Sequence, residues 1–136
     1  MSNQFLTRFN KLVAALESRP GWLPYVRVLK DSSPDRKIFG DQMLEWAECH
    51  LGEDWPIRLA EGYVAFVSDV NRSQIRYEVA GKYKNSSYQD VYKNVYGNEN
   101  FMQYYHWGVY VSTFAWVHHY DIAVFFLERF LKARLG

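Results

Sequence analysis

Apolar residues return at three- and four-residue steps along most of this chain, and only one short stretch alternates in the two-residue rhythm of a strand. That rhythm restricts the chain to helices with one buried face each, because residues three and four apart share a side of an α-helix. Between Asn3 and Glu17 the set Phe5, Leu6, Phe9, Leu12, Val13 and Leu16 forms such a face. Arg19-Pro20-Gly21 ends that helix, and Pro24 suits the first turn of a short one carrying Tyr25, Val26, Val28 and Leu29. The polar stretch Asp31 to Lys37 reads as an exposed loop. Asp41 is the expected cap of a helix from Gln42 to Leu51, with Met43, Leu44, Trp46, Ala47 and Cys49 inward and Gly52 as its left-handed stop.

Asp54 and Pro56 then open a helix with Ile57, Ala60, Tyr63, Val64, Val67 and Val70 in period, expected to run to about Asp69. Gln74 to Val79 alternates polar and apolar, but a lone strand has no partner to complete its ladder, so the stretch reads as more helix. Beyond a polar break, Ser87 is placed to cap a helix holding Tyr88, Val91, Tyr92 and Val95, with Gly97 at its exit. A long buried helix follows from Asn98 to Val117, with a bend or restart at His118 to Asp121. The last helix carries an apolar face of Ile122, Val124, Phe125, Phe126, Leu127, Phe130 and Leu131, with Lys132 and Arg134 well placed in its final turn. The reading is an all-α single domain, 1–136, a compact bundle of about seven helices.

Charge and cysteine content narrow the partners. Sixteen basic against fifteen acidic residues leave a net charge of +1, which supplies no electrostatic footprint for nucleic acid. The apolar runs stop short of membrane-spanning length, so no membrane partner is expected. A single cysteine, Cys49, excludes an internal disulfide and a multi-cysteine zinc site, and fits a reducing compartment. The N-terminus has neither the basic start nor the apolar core of a secretory signal, and the cytoplasm is the expected location.

The chemistry-bearing motifs are few. The eight glycines are dispersed and form no phosphate-cradling loop. No Glu-x-x-His pair occurs for a carboxylate di-metal site, and neighbouring His118 and His119 diverge on a regular helix. Cys49 and His50 diverge in the same way, so a thiolate–imidazole pair is not implied. His106, His118 and His119 are the candidates for acid–base work. Fourteen of the 43 residues from Tyr88 to Phe130 are aromatic, and Tyr88, Tyr92 and Tyr96 share a helix face. Such a row of phenols either lines a pocket for an organic ligand or forms a half-buried packing face.

The order Val91-Tyr92, Glu99-Asn100-Phe101-Met102, Tyr105, Gly108, Ser112, Trp116, His119, Phe125-Phe126 resembles the helical segment that precedes the catalytic domain in some class I S-adenosylmethionine-dependent methyltransferases. The resemblance covers roughly residues 88–131. It implies a helical cap that recognises a small organic methyl acceptor and self-associates, paired with a catalytic methyltransferase domain. The elements that hold S-adenosylmethionine in such enzymes, a strand and its glycine-rich loop, are not assigned to this chain. The resemblance places Tyr92, Tyr105 and Trp116 as acceptor-binding residues and His119 as the residue that orients an acceptor oxygen or acts as a base. Two other readings stay open: a stand-alone helical binding protein or small enzyme with a histidine in an aromatic pocket, and a homodimeric interaction domain.

Overall fold

A computed structural model describes residues 6–81, 88–91, 93, 97 and 99–135. Among the described residues every regular element is helical, and six helices have eight residues or more: α1 (Thr7–Glu17), α2 (Leu23–Lys30), α3 (Pro34–His50), α4 (Trp55–Ala80), α6 (Glu99–Ala115) and α7 (Val117–Phe126). A single turn, α5 (Tyr88–Val91), lies between α4 and α6. The all-α reading holds, with six substantial helices rather than seven. The expected caps at Ser87 and Asn98, and the phenols of Tyr92 and Tyr96, fall outside the described residues.

The extra helix in the sequence reading came from dividing α4. Its 26 residues run unbroken through the alternating Gln74–Val79 stretch and stop at Gly81, whose φ of +70° supplies the left-handed exit. Gly52, at φ +89°, ends α3 in the same way, as its position predicts. Asp54 occupies the cap position of α4, but its side chain makes no capping hydrogen bond, while Pro56 sits in the first turn as expected.

The expected loop at 31–37 is in fact the start of a helix. Ser33 takes an extended backbone and accepts the Arg36 N–H at 3.3 Å, Pro34 stands at the first helical position, and α3 begins eight residues before Gln42. Asp41 therefore lies inside α3 rather than capping it, and its role is played elsewhere. Its Oδ1 accepts the backbone N–H of Phe9 at 2.8 Å, in the first turn of α1, where the local cap position is held by Leu6 with no side-chain bond. Arg8 adds an ion pair to Asp41 at 3.6 Å and one to Glu48 at 3.3 Å, so α1 and α3 are tied along one edge.

The core is built on α1, α2, α3, α4 and α6: Phe9, Leu12, Val13 and Leu16 meet Val26 and Leu29, Leu44 and Ala47, Trp55, Leu59, Ala60 and Tyr63, and Val111, Phe114 and Ala115. Two corrections follow for α3, because Cys49 and Trp46, expected inward, are exposed. Helices α4 and α6 approach through reciprocal glycine seats. The ring of Trp107 covers Gly62, where a Cβ would lie 2.6 Å from Trp107 Cβ, and Phe66 covers Gly108, where the distance would be 2.2 Å. Gly40 receives Phe114 in the same fashion. These glycines are seats for rings inside helices and do not form a phosphate-cradling loop.

Helix α6 ends two residues earlier than expected, at Ala115. The break is Trp116, extended at φ −104° and ψ 124°, rather than His118 to Asp121. Past it, α7 runs on through a π turn (Leu127–Leu131) into a last turn, Lys132–Leu135, whose basic residues suit a helix C-terminus. None of the described residues from Val117 onward is buried, so the apolar face expected for the last helix is not packed in the core.

Candidate functional site

The break at Trp116 creates the most chemically organised place in the molecule. Its indole Nε1–H donates to the Tyr63 hydroxyl at 3.1 Å, its ring stacks on Phe66 at 5.8 Å, and His119 lies 4.9 Å away centre to centre. Tyr105 meets the other side of Phe66 edge-on at 5.5 Å. Thus Tyr105, Phe66, Trp116 and His119 form one continuous chain of rings, joining residues of α4, α6 and α7. Three of the four site residues expected from sequence are brought together this way. Tyr92 lies outside the described residues, and its neighbour Tyr88 is exposed.

Two residues of this site were not singled out beforehand. Phe66 was missed although it lies one turn from Tyr63 on α4, because nothing in sequence distinguishes a bridging ring from a core ring. Tyr63 was read only as an in-period apolar position, yet it anchors the indole. Burial pushes the Tyr63 phenol above its ordinary value, and the hydrogen bond from Trp116 only partly offsets this. Tyr63 therefore stays a neutral acceptor for the indole across the physiological range.

His119 is fixed by a second contact. Its Nδ1 lies 3.0 Å from the hydroxyl of Ser112, which is fully buried. The Ser112 hydroxyl donates its only hydrogen to the carbonyl of Val109 at 2.8 Å, so it can only accept from the imidazole. That assigns the ring proton to Nδ1 in the neutral histidine and leaves the lone pair on Nε2. A neutral imidazole so oriented can accept a proton or a hydrogen bond from a ligand hydroxyl, the condition for general-base work.

The same histidine lines a shallow groove of about 450 Å³ between the end of α6 and α7, together with Thr113, Ile122, Ala123 and Phe126. The groove is apolar but for Thr113 and His119, and Thr113 already donates to the Val109 carbonyl at 3.0 Å. The other histidines do not join it: His50 is exposed beside Trp46, and His106 lies beside Tyr105. Among the described residues no three histidine, cysteine, aspartate or glutamate side chains converge to hold a metal ion. No helix among them is long and apolar enough to cross a membrane. Neither family models, curated proteins nor solved structures provide a match to this chain.

Proposed function

We propose that this chain is a helical substrate-recognition domain that works with an S-adenosylmethionine-dependent methyltransferase, holding a small organic acceptor in the His119 groove. The observation that carries the reading is the buried Ser112 hydroxyl, which fixes the His119 tautomer and leaves Nε2 free to accept from an acceptor hydroxyl. Ile122, Ala123 and Phe126 would contact the acceptor's apolar part, while Trp116 and Tyr105 hold the histidine's surroundings rigid through Phe66. Catalytic transfer belongs to a separate cofactor-binding domain in this reading, so no chemical step is assigned to this chain.

The test combines two titrations. Small neutral phenols and alcohols, added to the isotopically labelled chain, should shift the resonances of His119, Ile122 and Phe126, with the response lost in His119→Ala. S-adenosylmethionine, titrated calorimetrically, should give no heat of tight binding. Tight cofactor binding with methyl transfer by this chain alone would overturn the reading, as would ligand shifts confined to another face. Shifts at the groove followed by turnover of a ligand without a methyl donor would favour the stand-alone small enzyme, whose support is that every residue of the groove comes from this one chain.

A further inference from the structure

Helix α7 and its continuation form an arm that the body of the protein leaves uncovered. Past Tyr120, whose ring meets Phe39 edge-on, every described side chain from Phe125 to Lys132 is exposed. Ile122 is 67% exposed, Phe125 57%, Phe126 50%, Phe130 51% and Leu131 39%, values that belong to a surface awaiting a partner rather than to scattered surface residues. Together the arm's apolar side chains present on the order of 700 Å² to water, more than the largest patch usual on a monomer and about one partner's share of a standard interface.

The π turn gives this surface its order. In a regular α-helix a row of residues four apart drifts around the axis, because four residues exceed one turn. A turn closed from i to i+5 takes more than four residues, so the drift reverses across Leu127–Leu131. Ile122, Phe126 and Phe130 are thereby held in one nearly straight row, with Ala123, Leu127 and Leu131 in the next. The stacked rings of Phe126 and Phe130, 5.6 Å apart, show that alignment directly. Neither row contains a charge.

We infer that this double row is the seam of a homodimer in which two arms pack antiparallel, Phe126 of one copy against Leu127 of the other. That register sets Ile122 against Leu131 and small Ala123 against large Phe130, so bulk meets space on both sides of the twofold axis. It also sets Asp121 against Lys132. These two make no ion pair among the described residues, and at about 16 Å apart along one helix they cannot reach each other within a copy. A parallel pair would oppose Asp121 to Asp121 and Lys132 to Lys132, so the charges select the antiparallel direction. A lipid surface suits the arm less well, because an interfacial helix keeps a strongly charged face and this one is apolar nearly all round. In the dimer the partner's Phe130 and Leu131 roof the groove beside His119. The inference stands on the arm alone, independently of what the groove binds.

The experiment is sedimentation equilibrium of the full chain, with crosslinking as the test of register. The native chain is expected to dimerise with a micromolar dissociation constant, and Phe126→Asp with Phe130→Asp is expected to weaken it by at least about a hundredfold while circular dichroism stays unchanged. In a Cys49→Ser background, mixing an Ile122→Cys chain with a Leu131→Cys chain should give disulfide-linked pairs of one with the other, and neither chain should link to itself. A native chain that is monomeric at hundreds of micromolar overturns the inference, as does a dimer indifferent to the double aspartate variant. Self-linked chains overturn the antiparallel register. A monomer that sediments with phosphatidylcholine–phosphatidylserine vesicles through its arm overturns it in favour of a lipid surface. None of these outcomes bears on ligand shifts at His119 in the separate titration.

Discussion

The Asp41 carboxylate accepts the backbone N–H of Phe9 at 2.8 Å, so a residue in the middle of α3 performs the capping of α1 from 32 positions away. The first N–H groups of a helix have no partner within it, and here one of them is satisfied across a helix–helix interface that is nearly closed to water. Asp41 thereby ties local helix formation to the docking of α1 on α3. Asp41→Ala should cost about 2–3 kcal/mol of stability, since it strands the Phe9 donor and removes the Arg8 ion pair. Asp41→Asn, which keeps the acceptor, should recover about half of that. Urea denaturation of the three proteins measures both.

The reciprocal seats of α4 and α6 give a sharper test. Gly108→Ala places a methyl group 2.2 Å from Phe66 Cβ, an atom fixed to the backbone, so the helices must separate. A loss of about 2–4 kcal/mol is expected, with Gly62→Ala comparable. Gly21→Ala has nothing within 4 Å and should be neutral or stabilise by up to about 1 kcal/mol. Thermal unfolding that ranked Gly21 with the other two would show that helix propensity, not the close approach, governs these positions.

The tautomer of His119 can be read spectroscopically. In the native chain at alkaline pH, its imidazole nitrogens should show the Nδ1–H form in nitrogen-15 shifts. Ser112→Ala removes the acceptor, and the population should move toward the Nε2–H form that is intrinsic to free histidine. A native ring already in the Nε2–H form would mean that the Ser112 hydroxyl donates to His119 instead of to Val109.

Tyr110 makes the fold sensitive to high pH. Burial pushes its phenol up to about 12, against the smaller opposing effect of its backbone hydrogen bonding, and its hydroxyl donates to the carbonyl of Met43 on α3. The unfolded chain releases this proton near pH 10 while the folded one retains it. The folded state then holds more protons, so stability contributed by neutral Tyr110 is complete below about pH 10 and lost as pH rises toward 12. Tyr110→Phe should lower stability by about 1 kcal/mol at neutral pH and flatten the alkaline decline. Denaturation midpoints from pH 8 to 11 for the two proteins test the slope, and parallel curves would exclude Tyr110 as its source.

Much of the helical layout was legible because its causes are local. The inward set of α1, the stops at Gly52 and Gly81 and the prolines at helix starts depend on neighbours within one or two turns. The start of α3 was equally local, since Ser33 followed by Pro34 is a helix-opening pair, and it was misread by weighing polarity over capping. The candidate site was legible as a set of residue types, Tyr105, Trp116 and His119, but not as a constellation. Phe66, which joins them, comes from a helix 39 residues before Tyr105, and no spacing within either helix encodes that meeting.

By itself, then, the sequence determined that this protein is helical and where most helices stop, because periodicity and caps act over the reach of one turn. Tertiary structure decided what the residues do. Asp41 became another helix's cap, Trp116 broke a helix with neither glycine nor proline nearby because Tyr63 and Phe66 hold its indole on α4, and Cys49 turned outward. The arm shows the physical reason most plainly. An apolar row in sequence records that a surface must leave water, since that free energy depends only on the residues themselves. Which surface covers it depends on geometry between distant elements, and on this chain the row from Ile122 to Leu131 was left facing outward.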